Sequence, residues 1–141
     1  MSEDTDNTDD GTEKLNAEAV AQLAKEERRA KKTIRFETPD GEAEYEYQMI
    51  REGRLAELSE KHFETPEVRN QRHAKDRDLT ADDFERFRAE VIKESVVSAP
   101  HGHKAATGYI RKNIPDNWQA ELFDAITEFS IMQPEERRKF L

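Results

Sequence analysis

Two histidines separated by one glycine, His101-Gly102-His103, come nearest to metal chemistry in this chain, since two imidazoles can share an ion. His62 and His73 are the other imidazoles, no helical His-x-x-x-His occurs, and cysteine is absent. A loop pair without a third ligand does not make a zinc set, so neither a metal nor a cofactor is expected. Asp82-Asp83 offers paired carboxylates, but a general acid needs burial to raise its pKa, and this pair reads as helix-start charge. Ser95 and Ser98 precede His101 without the Gly-x-Ser-x-Gly turn that exposes a nucleophile. The five glycines are scattered singly, which leaves no phosphate-cradling loop. An enzyme is therefore not expected.

Other side chains suggest recognition, with a plainer reading beside each. Tyr45 and Tyr47 could stack on bases, but Glu42, Glu44 and Glu46 interleave with them and would repel phosphate. The basic run Lys25–Lys32 is broken by Glu26 and Glu27 and reads as a solvated helix end. A net charge of −9, a pI near 5.0 and a mean hydropathy of −1.07 also argue against a nucleic-acid partner. Dense acid would suit a salt-loving host, but ten lysines remain, so that origin stays open.

The elements that must position these residues follow from length and pattern. A chain of 141 residues suits one domain, and seven Phe, three Tyr and one Trp can nucleate a modest core. No apolar run approaches the roughly 20 residues that span a bilayer, and Met1-Ser2-Glu3-Asp4 is acidic where a secretory leader would be basic. The expectation is a soluble intracellular protein with no membrane partner. Residues 1–13 hold six acids and no base, and read as a disordered acidic tail dispensable for folding.

From Lys14 the pattern changes. Leu15, Ala19, Val20, Leu23 and Ala24 share one helical face, with Asn16 as N-cap. Thr33–Thr38 and Glu42–Met49 alternate around Pro39-Asp40-Gly41, a hairpin whose inner face collects Ile34, Phe36, Ala43, Tyr45, Tyr47 and Met49. Helical spacing resumes over Arg54–Phe63, while 64–80 balances four acids against four bases and reads as a charged flexible insert. A helix from Thr80 presents Phe84, Phe87, Val91 and Ile92 and is expected to run toward Ser98, with Pro100 preventing continuation. Thr107 is expected to cap a short turn, and Asp116 a longer helix striped by Trp118, Leu122, Ile126 and Phe129. Gln133-Pro134 opens a last short helix. The expected fold is α+β and mostly helical: an N-terminal helix and one β-hairpin, then four to five helices, with 14–141 as one domain.

The order of these parts carries a resemblance. A hairpin precedes a helix ending in Val-Val-Ser-Ala-Pro (Val96–Pro100), and a linker leads to Ile114-Pro115-Asp116. A helix of the form Trp-x-x-x-Leu-Phe-x-x-Ile-x-x-Phe-Ser (Trp118–Ser130) follows. This arrangement resembles the tail assembly chaperones of long-tailed viruses of bacteria and archaea, over residues 33–63 and 84–130. The acidic extension, the added first helix and the insert at 64–80 depart from it.

The resemblance implies a non-enzymatic protein that binds the tape measure protein and recruits tail tube protein subunits. It would act in the host cell cytoplasm and be left out of the mature virion. Phe123, Ile131, Met132, Phe140 and Leu141 lie beside or beyond the Trp118–Phe129 stripe and are the expected partner contacts. A homo-oligomer stays open. The rival readings are a structural virion subunit, such as a tail terminator or connector, and a small nucleic-acid-binding regulator.

Overall fold

Asn16 starts the first helix as its spacing predicts. Its side-chain oxygen accepts from the Ala19 amide at 2.8 Å, and α1 (Ala17–Arg29) follows, with Glu18 in its first turn and Arg28 and Arg29 in its last. The computed structural model describes residues 14–63, 81–102 and 104–141. The expected acidic tail at 1–13, the insert at 64–80 and His103 lie outside them.

Strands β1 (Lys32–Thr38) and β2 (Gly41–Tyr47) form the hairpin, with Ile34 opposite Tyr45 and Phe36 opposite Ala43. The turn is held by Thr38, whose hydroxyl donates to the Gly41 carbonyl at 2.8 Å and accepts from the Asp40 amide at 3.2 Å. Gly41 sits at φ +140°, where a side chain would be strained. The inner face buries Phe36, Tyr45 and Tyr47, as alternation requires.

Helices α2 (Glu52–Phe63) and α3 (Ala81–Ser95) follow, and α3 ends earlier than its apolar stripe suggests. Val96–Ser98 is a third strand, β3, antiparallel to β2. This corrects the expectation of a helix running toward Ser98. Two β-branched valines before Ser-Ala-Pro favour extended backbone, and the unpaired edge of β2 supplies the partner. The Gln48 amide donates to the Ser95 carbonyl at 2.9 Å, extending the pairing, and a bulge lies within it between the Glu46–Ser98 and Tyr47–Val96 pairs.

Helices α4 (Thr107–Asn113), α5 (Asp116–Ser130) and α6 (Pro134–Arg138) complete the described chain. Two caps differ from expectation. Ala106 and Pro115 occupy the N-cap positions, and Thr107 and Asp116 are first helical residues. Asp116 still favours its helix, because an acid in the first turn faces the positive end of the dipole. The Ser130 hydroxyl accepts from the Ile50 amide at 2.9 Å, tying the chain beyond β2 to the end of α5.

α3 is the organising helix, packing against α2, α4 and α5, while α5 also reaches β1 and α1 packs against α6. The core runs from Phe36, Tyr45 and Tyr47 through Leu58, Phe87, Val91 and Ile92 to Leu122, Ile126 and Phe129. Each such large side chain contributes about 1.5–3 kcal/mol when fully buried. Trp118 lies half-buried against Phe36, the two rings stacked at 4.6 Å and 9°. The architecture is α+β and mostly helical, with a three-stranded antiparallel sheet in place of a bare hairpin.

Candidate functional site

The expected partner residues separate into two groups. Phe123 is half-buried in an aromatic cluster, 5.6 Å from Phe84 and 5.8 Å from Phe87, with Phe63 5.0 Å from Phe87 on the far side. Met132 is also half-buried and packs on the core. Phe140 lies edge-on to Phe129 at 5.7 Å, beneath the Lys32 ammonium at 5.2 Å, and stays partly open. Ile131 and Leu141 are the exposed members, at 80% and 61%. The sequence stripe places all five near one another, but it does not show that α3 supplies the phenylalanines that cover Phe123.

A second exposed apolar surface lies on α1. This helix is amphipathic yet has no buried residue, and Leu15 and Val20 stand 62% and 51% exposed. It is attached through its last turns. Glu27 accepts from the Arg137 guanidinium at 3.3 Å, and Glu26 pairs with Arg138 at 2.7 Å. The Lys31 amide donates to the Phe140 carbonyl at 3.0 Å, so the chain just past α1 runs beside the C-terminal residues. A helical rise of 1.5 Å per residue carries Val20 about 10 Å from the Glu27 anchor. Apolar residues on α1 are readable as a stripe; their exposure depends on how little α6 covers.

Two polar residues missed in the sequence reading hold these helices. Gln119 is fully buried, and its amide donates to the carbonyls of Ile110 at 3.0 Å and Ile114 at 2.7 Å. It thereby adds a second donor to the Ile110 carbonyl, which already accepts from the Ile114 amide at 3.2 Å, and supplies one to the Ile114 carbonyl. Its own oxygen accepts from Arg88 at 3.4 Å. Arg137 is 5% exposed and does the same for α5, donating to the carbonyls of Phe129 at 3.1 Å, Ser130 at 2.9 Å and Met132. For Gln119 the available signal was a polar letter in register with Leu122, Ile126 and Phe129, whereas no apolar stripe marks Arg137.

The residues with chemistry are dispersed among structural contacts. Glu90 accepts from Lys61 at 2.5 Å and contacts His62 at 3.1 Å. Burial pushes its carboxyl up, but hydrogen bonds and charge from Lys61 and His62 outweigh this and hold it below the ordinary value. Asp82 pairs with Arg86 at 2.8 Å and with Arg111, as helix-start charge can. Among the described residues, no three His, Asp or Glu side chains gather as a metal set. Among them also, no helix is long and apolar enough to cross a membrane.

One cavity of about 390 Å³ lies where the end of α3, β3 and α4 meet. Ile92, Ile110 and Ile114 form apolar wall, Tyr45 adds its ring, and Lys93 and His101 also line it. His101 packs edge-on to Tyr109 at 5.3 Å. Ser98 borders the same space, whereas Ser95 is buried and is not among its lining. Burial pushes the Tyr45 phenol above its ordinary pKa, with nearby Tyr109 adding to the effect. Four chain segments build this space, and no spacing rule connects them. Compared with known proteins, the sequence matches no family model, no curated protein and no solved structure at a significant level.

Proposed function

We propose that this chain is a non-enzymatic assembly chaperone for the tail of a long-tailed virus, binding the tape measure protein and assisting tail tube assembly. The observation that supports it best is α1, an amphipathic helix held at one end and carrying exposed Leu15 and Val20. Exposed Ile131 and Leu141 add further apolar surface in the C-terminal segment, where Phe140 meets the chain leaving α1. A helical client can lay its own apolar stripe against such residues, with a few large anchors dominating the energy. The net charge of −9 would keep the complex in solution while the client is covered. The work is done in the host cytoplasm, and the chaperone leaves before the virion is complete.

Co-expression with a tape measure protein of a long-tailed virus tests the reading. The client should become soluble and co-purify. Val20→Asp and Ile131→Asp should each release it while circular dichroism and melting stay near wild type, because both positions are exposed. An insoluble client, or retention of this chain at fixed copy number in purified virions, overturns the proposal.

A further inference from the structure

The cavity between α3, β3 and α4 has a charge character opposite to that of the chain. The protein carries 32 acids against 23 lysines and arginines, yet Lys93, Lys104 and His101 line this space and, among the described residues, no Asp or Glu does. Both lysines are exposed at their positions. Among the described residues the lysine ion pairs are those of Lys61 and Lys139, so the Lys93 and Lys104 ammoniums are not committed to a carboxylate. Deeper in, Ile92, Ile110 and Ile114 are almost wholly buried and still border the space. The mouth is shaped by a tight turn in which the Gly102 amide donates to the Ala99 carbonyl at 3.0 Å, with Gly102 at φ +72°.

A volume of about 390 Å³ falls within the roughly 300–1,000 Å³ of small-ligand clefts. Apolar walls with cations at the rim select a ligand with the converse layout. From this arrangement we infer that the cavity binds an amphiphilic carboxylate, its apolar chain among Ile92, Ile110 and Ile114 and its head between Lys93 and Lys104. An ammonium meeting a carboxylate at a partly desolvated rim forms a charge-assisted hydrogen bond, stronger than a neutral one. The isoleucine wall offers no hydrogen-bonding group, which favours an alkyl or aryl chain there and leaves the polar contacts to the rim. The site lies apart from the α1 surface, so its occupancy does not depend on the client reading.

The same chemistry can come from a free small molecule or from the end of a peptide, and the test separates them. The full chain, isotope-labelled at isoleucine methyls, is titrated with decanoate, with uncharged decanol, and with an acetylated Ala-Ala-Leu peptide bearing a free carboxylate. Saturable shifts at Ile92, Ile110 and Ile114 are expected with decanoate, the peptide or both, and far weaker ones with decanol. Decanoate alone assigns a free amphiphile; the peptide alone assigns a chain end. The double substitution Lys93→Gln, Lys104→Gln should weaken that binding about tenfold and leave melting unchanged, while Lys112→Gln with Lys139→Gln should not weaken it. No shift with either carboxylate, equal shifts with decanol, or indifference to Lys93 and Lys104 overturns the assignment.

Discussion

Arg137 and Glu27, 110 positions apart in the chain, meet through a guanidinium–carboxylate contact of 3.3 Å that joins α1 to α6. The same guanidinium donates to three carbonyls at the end of α5, so one side chain closes a helix and fastens another.

Arg137→Ala should cost about 2–3 kcal/mol in a urea titration, because buried acceptors lose a charged donor. Arg137→Lys should recover only part of that loss, since Nη1 serves the three carbonyls while Nη2 reaches Glu27, and one ammonium cannot do both. Glu27→Gln should cost under about 1 kcal/mol, its carboxylate being near the surface. Equal losses for Arg137→Ala and Glu27→Gln would assign the stability to the ion pair and not to the helix end.

Gln119→Met keeps the volume and abandons the Ile110 and Ile114 carbonyls, at an expected cost of about 1–3 kcal/mol. Gln119→Glu should be worse at neutral pH, because a buried carboxylate would face two carbonyl oxygens. It should recover part of the loss as the solution is acidified and the group protonates. Thermal melts at two pH values decide this. A Gln119→Glu protein as stable at neutral as at acid pH would contradict the assigned geometry.

Phe36→Ala should cost about 3–5 kcal/mol, as for a buried phenylalanine. Its ring stacks on Trp118, the chain's one tryptophan, so native fluorescence should shift to longer wavelength in the same variant. Glu44→Ala should be near neutral although Glu44 pairs with Arg35 at 2.7 Å, because both side chains are largely solvated. Comparable losses from the two substitutions would misplace the buried face.

Glu90 makes stability pH-dependent in a defined direction. Its folded pKa lies below the ordinary 4.5, so its contribution is fully present above that value and is lost as pH falls through the folded one. Glu90→Gln should lower stability at neutral pH and flatten the acid limb of the stability profile. An unchanged acid limb would show that the contacts with Lys61 and His62 do not persist in solution.

Local signals were legible wherever neighbouring residues alone decide the outcome. Asn16 capped α1, and Pro39-Asp40-Gly41 turned the hairpin, because caps and turns are satisfied within a few positions. Val96–Ser98 was misread because its strand partner lies about fifty positions earlier, on the open edge of β2. Gln119 and Arg137 were missed for a related reason: a buried polar side chain is explained by acceptors that folding brings to it. The phenylalanines of α3 that pack beside Phe123 are likewise brought there by folding. The apolar residues of α1 were visible from the start, and only the packing showed that they stay open.

The docking of α1 on α6 also sets a schedule for the newborn chain. Glu27 is made 110 residues before its partner Arg137, which at about 5–20 residues per second is a delay of roughly 6–22 seconds. During that interval the contacts from α6 that hold the first helix do not yet exist. Whatever apolar surface is nearby on the same polysome can reach Leu15, Val20 and Leu23 before α6 exists to hold that helix in place.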